Sequence, residues 1–326
     1  MNMRESSPRT ADGVAFSSAA PAMLGLLAAL RDAGYRFITP TPATHARVLG
    51  RMPPGSAGLR DAFGWSRAFA ADLLPGALFE SLREAGIVVP CEEGWRSVVR
   101  VSSLGDTLLL HSAYPTVQAD AVFFGPDSYR FAAAIEAHLQ RREDGVRRAL
   151  DIGCGAGPGA LTIARLRPAA EVTGTDINLS ALRLANVNAV FAGAGNVGLR
   201  YSNLMTEVSG AFDLIVANPP YLLDPAERGY RHGGGTLGAG LSLAIVDAAV
   251  PRLAPGGTLL LYTGVAMPGE LDPFAAALAE RQALRGVQRD YRELDPDVFG
   301  EELEGETYAG VERIAAVLLT VTRPRS

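Results

Sequence analysis

The sequence has no lysine and only two cysteines, Cys91 and Cys154, among its 326 residues. Two cysteines so far apart exclude a disulfide framework, and they are typical of a protein from a reducing compartment. Four scattered histidines and two cysteines offer no zinc-ligand spacing, so we expect no metal site. The missing lysine leaves arginine as the only permanent cation, and by itself it excludes no function.

Long apolar runs are also absent from the chain. No segment approaches the roughly 20 apolar residues that are needed to span a bilayer. The most apolar N-terminal stretch runs from Ala19 to Leu30, and acidic residues precede it. Ser17 or Ser18 as the N-cap and Gly34 as the C-cap favour a helix there over a signal peptide. We therefore expect a soluble, cytoplasmic protein with no membrane partner.

Excess charge is small and unevenly placed. The formal net charge is -5, while residues 1–120 contain 11 arginines and 11 acidic residues, so the excess acid lies in the remainder. Because nucleic-acid-binding domains are usually basic, this balance argues against a large phosphate-binding surface. Apolar residues make up 48% of the chain, which is enough to bury a core. The length predicts about two domains.

The first part of the chain is predicted to be a small α+β domain that serves substrate recognition. We expect a disordered start at residues 1–15 and an N-terminal domain over residues 16–118. Its predicted elements are helices at 18–33, 42–52, 58–73 and 76–86, and a hairpin of Arg96–Val101 with Thr107–His111. Helices followed by a hairpin are typical of a winged-helix-like module or of a helical cap with a β-ribbon.

The remainder, residues 119–326, alternates strand-like runs with Ala- and Leu-rich helical stretches. Strands are predicted at Val146–Ile152, Ala170–Asp176, Val197–Tyr201, Phe212–Ala217, Gly257–Thr263, Leu284–Tyr291 and Arg313–Val321. This alternation predicts an α/β fold with a doubly wound, mostly parallel sheet of seven strands.

A glycine-rich loop follows the first of these strands. Residues 148–159 read RALDIGCGAGPG, and the glycines allow a sharp turn and the close approach of a ligand. Asp176 ends the next strand about 20 residues later, where an acid can hold ribose hydroxyls. The two features predict a nucleoside cofactor, and both NAD and S-adenosylmethionine fit them. Cys154 is expected to be a small buried residue beneath that cofactor.

The tetrapeptide Asn218-Pro219-Pro220-Tyr221 follows a strand that should lie beside the glycine-loop strand. Ligands bind at the carboxyl ends of such strands, so the tetrapeptide should face the cofactor. The Asn218 amide oxygen and the Pro219 carbonyl can accept both hydrogens of an -NH2 group, and Tyr221 can stack on a flat group. This arrangement predicts that a planar amino group is bound and presented for alkylation.

These two motifs together resemble the class I S-adenosylmethionine-dependent methyltransferases. The resemblance covers about residues 120 to 322 and is closest to the Asn-Pro-Pro-Tyr branch. That branch contains release-factor glutamine methyltransferases, adenine amino methyltransferases and ribosomal RNA guanine methyltransferases with a small methyltransferase domain. It implies a Rossmann-like sheet, S-adenosylmethionine as cofactor with S-adenosylhomocysteine as product, and N-methylation of an amino or amide nitrogen.

The resemblance also implies roles for individual residues. Residues expected to bind the cofactor are Asp151, Gly153, Gly155, Gly157, Asp176, Ile177, Asn203 and Asn218. Within that set, Asn203 replaces an Asp that usually meets the adenine amino group. Residues expected to act in catalysis are Asn218, Pro219 and Tyr221. Residues expected to bind substrate are Phe124, Pro126, Tyr129, Pro220, Tyr221 and His232.

Two departures leave the methyl acceptor open. The glycine-rich run 231–241 lacks the Asp that release-factor enzymes carry there, and it is expected to be a mobile loop over the target site. The N-terminal part does not match their small helical domain. The expected partner is therefore a protein or nucleic-acid substrate, with a small molecule as the alternative. A nicotinamide-dependent oxidoreductase and a non-catalytic cofactor-binding subunit are rival functions. The acidic stretch 293–306 is expected to be a solvated connection.

Overall fold

The computed structural model describes residues 17–53, 58–142, 145–224, 226 and 228–325. The disordered start predicted for residues 1–15 lies outside the described residues. In the described part of the chain, no helix is long and apolar enough to cross a membrane.

The helices and strands have the following bounds. The helices are α1 (Ala20–Asp32), α2 (Pro42–Leu49), α3 (Leu59–Phe63), α4 (Gly76–Glu84), α5 (Pro126–Arg141), α6 (Pro158–Leu166), α7 (Leu179–Phe191), α8 (Gly240–Ala249) and α9 (Pro273–Ala279). The strands are β1 (Val88–Cys91), β2 (Gly94–Ser97), β3 (Val99–Leu104), β4 (Thr107–Ser112), β5 (Arg148–Ile152), β6 (Glu171–Asp176), β7 (Val197–Tyr201), β8 (Phe212–Ala217), β9 (Leu253–Met267), β10 (Gln288–Asp295) and β11 (Arg313–Thr322).

The centre of the molecule is a seven-stranded sheet with the strand order β10-β11-β9-β8-β5-β6-β7. Strands β9, β8, β5, β6 and β7 are parallel to one another, while β11 is antiparallel to both β9 and β10. The predicted doubly wound, mostly parallel α/β fold is confirmed. Because the strand order reverses beside β5, the carboxyl ends of β5 and β8 open a crevice between them.

Alternating residues of β8 show how the sheet buries both faces. Leu214 and Val216 pack in one apolar cluster with Ile135 of α5 and Ile163 of α6. Ile215, between them in sequence, packs in a second cluster on the opposite face with α8 and α9 residues. Since side chains of a strand alternate between faces, helices on both sides exclude water from this strand.

The N-terminal part differs from the prediction in two places. The helix predicted over 58–73 ends at Phe63 with Gly64 as its C-cap, and only a short 3₁₀ turn follows at Ala71–Leu73. The single predicted hairpin is two hairpins, β1 with β2 and β3 with β4, since the chain changes partners at Val98.

In the sheet part, the strand predicted from Leu284 begins at Gln288, after a 3₁₀ turn.

The N-terminal part packs directly on the sheet part through α7. Asn188 of α7 is fully buried, and its amide accepts from the Leu110 N–H at 2.8 Å and donates to the Leu110 carbonyl at 3.0 Å. The same amide donates to the carbonyl of Ala156 in the glycine loop at 2.9 Å. One side chain therefore ties strand β4 to the glycine loop. The domain division at residue 118 stays a prediction.

Candidate functional site

A cavity of about 660 Å³ lies at the carboxyl ends of β5, β6 and β8. Its walls come from the glycine loop, from residues 176–181 and 202–204, and from residues 218–222. A fourth wall is the segment 116–123, which connects the N-terminal part to α5. The two motifs that the sequence analysis singled out therefore line one cavity.

The glycine loop presents open backbone to this cavity. Gly153 and Gly155 have φ values of +66° and +54°, which disfavour residues with a side chain. No atom lies within 4 Å of where a Cβ would stand at either residue. The loop leads into α6 through Gly157, which also has positive φ but does not line the cavity. The bare loop is the kind of surface that a cofactor can approach closely.

Asp151 lies beneath the loop rather than at the cavity wall where the resemblance implied it. Its carboxylate is 1% exposed and accepts a hydrogen bond from the Ala160 N–H at 2.8 Å. Burial, with the nearby Asp176 charge as a smaller cause, raises the pKa of Asp151 to about 7. Asp151 thus fixes the start of α6 from behind the loop, and its predicted contact with a cofactor remains a prediction.

Asp176 lines the cavity at the end of β6, and backbone amides orient its carboxylate. One oxygen accepts from the Gly155 N–H at 2.9 Å and the other from the Asn178 N–H at 2.8 Å. Burial raises its pKa, and these amide hydrogen bonds lower it. Each carboxylate oxygen has a further acceptor position. The carboxylate can therefore receive hydroxyl donors from the cavity.

Cys154 and a set of apolar and amide residues complete this half of the cavity. The Cys154 thiol is buried, which raises its pKa and keeps it protonated, so it lacks the thiolate that a nucleophile needs. It packs over β6, where a Cβ at Gly174 would meet its sulfur at 3.1 Å. Ile177 is 57% exposed at the cavity wall, and Asn203 is exposed at the same wall.

Asn218, Pro219 and Pro220 line the other half of the cavity. They follow β8, whose last residue Ala217 pairs with Ile152, the residue before the glycine loop. Asn218 is half-buried, and Pro219 is buried. The sheet register thus brings this turn next to the glycine loop, as the sequence predicted.

Tyr221, the last residue of the tetrapeptide, makes close contacts within the protein. Its ring is 6% exposed, and its hydroxyl donates a hydrogen bond to Oδ2 of the buried Asp127. The ring lies against the backbone of β9, since a Cβ at Gly264 would be 2.1 Å from it, and it meets the Phe299 ring edge-on at 5.9 Å. Tyr221 also lines the cavity, and its predicted stacking on a flat substrate group stays a prediction.

Four predicted substrate-binding residues do not line the cavity, and their predicted contacts with substrate stay predictions. Phe124 is buried against His111 and Tyr129, and the Tyr129 hydroxyl accepts from the Thr39 N–H at 3.1 Å. Pro126 opens α5. His232 is half-buried, and its Nδ1 accepts from the backbone N–H of Asp224 at 3.2 Å. The neighbouring Phe123 lines the cavity instead.

The glycine-rich run after Tyr221 is packed rather than extended over the cavity. The Gly233 N–H donates to the Leu222 carbonyl at 2.8 Å, and the Leu241 N–H donates to the Gly233 carbonyl at 2.8 Å. A Cβ at Gly238 would lie 2.0 Å from the Tyr221 carbonyl oxygen. This packing does not favour the predicted mobile loop, because the small residues let the run wrap around the backbone of the turn.

Sequence reasoning missed several residues that form the cavity. Asp127 lines it from the first turn of α5, and Phe299 reaches it from the acidic stretch that was expected to be a solvated connection. Tyr230 lines it too, and its hydroxyl donates to the Thr116 carbonyl at 2.6 Å. The aromatic identity of Phe299 within an otherwise acidic run was the one available signal. The partner of Tyr230 lies too far away in sequence to be inferred.

The charged residues around the cavity are largely paired. Those that line it among the described residues are Asp120, Asp127, Asp176 and Arg231. Arg231 forms an ion pair with Glu302 of the acidic stretch and lies 3.7 Å from Asp224. Hydrogen bonds from Arg228 lower the pKa of Asp224 to about 2, so that carboxylate stays charged. The single cavity-lining arginine is thereby neutralised by acids.

Comparisons with known proteins agree with this geometry. Residues 124–270 match the family model described as the methyltransferase small domain. The release factor glutamine methyltransferase of Deinococcus radiodurans is 38% identical over 166 residues, which cover 48% of this chain and 55% of that protein. The ribosomal protein uL3 glutamine methyltransferase of Xanthomonas campestris pv. campestris is 36% identical over 143 residues, covering 40% of this chain and 46% of that protein.

A third relative is the 4-amino-L-phenylalanine/4-methylamino-L-phenylalanine methyltransferase of Streptomyces pristinaespiralis. It is 37% identical over 142 residues, covering 40% of this chain and 48% of that protein. The chain spans about half the length of the curated relatives it matches. Residues 124–270, which contain strands β5 to β9 and the Asn-Pro-Pro-Tyr turn, are thus similar to the methyltransferase small domain.

Proposed function

We propose that this protein is an S-adenosylmethionine-dependent N-methyltransferase that modifies a planar amide or amino nitrogen of a macromolecule. The observation that carries the proposal is that the glycine loop and the Asn218–Pro220 turn line one cavity. A nicotinamide-dependent oxidoreductase would use the loop but has no role for the turn. A non-catalytic cofactor-binding subunit would have no use for it either.

The residues of the cavity fit the proposed cofactor. The open space over Gly153 and Gly155 accepts a chain that lies close to the backbone, as the methionine part would. Asp176, held by two amides, would bind the ribose hydroxyls. Ile177 offers an apolar face for the adenine, and the Asn203 amide can both accept and donate hydrogen bonds to its edge. When bound, S-adenosylmethionine supplies an electrophilic methyl group.

The turn after β8 would bind and orient the acceptor nitrogen. Asn218 Oδ1 and the Pro219 carbonyl can accept the two hydrogens of an -NH2 group, and the prolines restrict the direction of that carbonyl. Such bonds aim the nitrogen lone pair and strengthen as positive charge builds on nitrogen, which is selective stabilisation of the transition state. Proximity and orientation supply the rest of the rate.

The charges around the cavity favour a protein side chain over a nucleic acid as the acceptor. Nucleic-acid binding depends on arginines and lysines that neutralise phosphates. The one arginine of the cavity wall, Arg231, is paired with Glu302, and the other charged residues of that wall are acids. A side-chain amide carries no charge and needs no such cations. Two of the relatives are named as glutamine methyltransferases, which agrees with an amide acceptor.

A small aromatic amine is the second candidate acceptor. The relative from Streptomyces pristinaespiralis is named for methylation of an amino-phenylalanine. Because Asn218 and Pro219 would bind an aromatic -NH2 group as well as an amide, the turn alone does not separate the two. The direct test incubates the protein with methyl-labelled S-adenosylmethionine and cell extract, followed by protease or nuclease digestion. Label that protease releases supports the proposal. Label released by nuclease would contradict the protein acceptor and indicate a nucleic acid. Label present only in small molecules would contradict it and indicate a small-molecule acceptor.

Two substitutions separate cofactor binding from chemistry. Asp176→Ala should weaken S-adenosylhomocysteine binding by about 10- to 100-fold, because it removes hydrogen bonds to a charged group. Asn218 is proposed to hold the acceptor nitrogen rather than the cofactor, so Asn218→Ala should leave that affinity within about twofold. It should lower turnover by about 100-fold or more, because it removes a hydrogen-bond acceptor that acts in the transition state. Calorimetry gives the affinities, and label transfer gives the turnover. An Asn218→Ala protein with wild-type turnover would refute the role of the turn.

A further inference from the structure

The buried carboxylate of Asp127 lies at the junction of three elements around the acceptor side of the cavity. Asp127 is in the first turn of α5 and is 3% exposed. Its Oδ2 accepts from the Tyr221 hydroxyl, and its Oδ1 accepts from the Tyr262 hydroxyl of β9 at 2.6 Å. Arg130 approaches Oδ1 at 3.3 Å. A buried carboxylate is tolerated because donors satisfy both oxygens.

Arg130 extends this contact to the edge of the sheet. Its second nitrogen pairs with Asp295 of β10 at 2.5 Å, so Asp127 is held from the α5 side and from the β10 side. Tyr262 approaches it from β9, a central strand that is fully buried at this position. Tyr262 and Arg130 thus anchor the Asp127 carboxylate to β9 and α5, which lie outside the Asn218–Pro220 turn. The third contact of the carboxylate, Tyr221, directly follows that turn.

Tyr221 is held along its whole length. Its hydroxyl is bound by Asp127, its ring lies on the backbone of Gly264, and its carbonyl packs against Gly238. The residue directly follows Pro220, so its position sets where the chain leaves the turn. Because methyl transfer needs the acceptor nitrogen in a narrow range of positions, small displacements of this turn are costly.

We propose that Asp127 is a positioning residue of the acceptor site, which acts through the Tyr221 hydroxyl to hold the Asn218–Pro220 turn in its productive place. This inference rests on the proposed function. Asp127 acts on the geometry of the turn and not on the reacting atoms. Its loss should therefore lower the turnover number and leave cofactor binding nearly unchanged.

The structure offers a matched pair of variants. Tyr221→Phe and Tyr262→Phe each remove one phenol hydroxyl from the same carboxylate, but only the first lies on the turn. Tyr221→Phe should lower kcat by about tenfold or more, with the Kd for S-adenosylhomocysteine within about twofold. Tyr262→Phe should keep kcat within about threefold, since Asp127 retains its other donors. The two variants should lower the melting temperature by similar amounts, because each removes one hydrogen bond to the same carboxylate. Equal losses of kcat in the two variants would overturn the inference.

A double-mutant cycle tests the pathway through Tyr221. Asp127→Asn should lower kcat in the wild-type background, because an asparagine amide has one acceptor oxygen where the carboxylate has two. In the Tyr221→Phe background it should lower kcat by less than about threefold, since the contact it disturbs is already gone. Additive losses would show that Asp127 acts by another route and would refute the proposal.

A readout without activity keeps this inference separate from the proposed function. Hydrogen exchange of the backbone amides at positions 221 and 222 should be faster in Tyr221→Phe than in Tyr262→Phe. That difference tests whether Asp127 holds the turn even in a protein that transfers no methyl group. Equal exchange rates in the two variants would contradict the inference. Absence of methyl transfer by the wild type would contradict the proposed function alone.

Discussion

At the scale of single residues, burial gives Asp151 an unusual proton affinity. Its pKa of about 7 lies above the usual carboxyl value, so the folded state binds a proton more tightly than the unfolded chain. Asp151 therefore contributes stability at low pH, and this contribution is lost as the pH rises from about 4 to about 7. Asp151→Asn keeps an acceptor for the Ala160 N–H without this titration. The free energy of unfolding should fall less between pH 5 and pH 8 in the variant than in the wild type.

Urea unfolding at the two pH values measures this difference. Each pH unit over which Asp151 is protonated only in the folded state corresponds to about 1.4 kcal/mol. The values at pH 5 are the reference for each protein, because residue 151 is neutral there in the folded state of both the wild type and the Asp151→Asn variant. Equal changes in the free energy of unfolding for the two proteins would show that Asp151 is ionised in the fold.

At the scale of an element, the glycine-rich run 231–241 supports the Asn218–Pro220 turn by close packing. Gly238 and Gly234 both have positive φ, +83° and +66°, so alanine at either should cost about 1–2 kcal/mol of backbone strain. Of these two glycines, Gly238 is the one whose Cβ would meet backbone, 2.0 Å from the Tyr221 carbonyl oxygen. Gly238→Ala should therefore destabilise the protein by about a further 1–3 kcal/mol and displace the turn.

Chemical unfolding and methyl-transfer assays of the two variants test this packing role. Gly234→Ala is the matched control, because the nearest atom to its Cβ would be His232 Nε2 at 4.0 Å. The expected result is a lower urea midpoint and lower turnover for Gly238→Ala than for Gly234→Ala. Equal urea midpoints and equal turnover in the two variants would contradict the packing role and support the predicted mobile loop.

At the scale of the whole molecule, the N-terminal part and the sheet part share an apolar core. Leu26 and Leu110 cluster with Leu184 and Val187 of α7. A chain that begins at Ala119 would expose this face of α7 and leave the amide of Asn188 without its Leu110 partner. We expect that shortened chain to aggregate or to melt at least about 10 °C below the full chain.

Soluble yield and thermal unfolding of the shortened chain measure this dependence. Asn188→Ala in the full chain is the control, since it removes the hydrogen bonds to Leu110 and Ala156 but exposes no apolar face. It should remain soluble with a smaller loss of melting temperature. A shortened chain with the melting temperature of the full protein would show that the sheet part folds independently.

Local patterns in the sequence determined the fold class and the two motifs of the site. The strand–glycine loop–helix pattern and the Asn218–Pro220 turn after β8 depend on neighbouring residues, and doubly wound sheets place such motifs at adjacent carboxyl ends. The same logic placed Asp176 at the end of β6. These features could be predicted because short-range sequence and a common topology suffice to place them.

Only the tertiary structure decided which groups of the protein Tyr221 contacts, because its partner Asp127 lies 94 positions away in sequence. A tyrosine beside a ligand cavity can stack on a substrate or anchor its own backbone, and the choice depends on which distant groups are buried against it. The same holds for Phe299, which reaches the cavity from an acidic stretch, and for the hairpins, which divide where Val98 changes partners. Long-range packing selects among locally equivalent alternatives, and no local pattern records that choice.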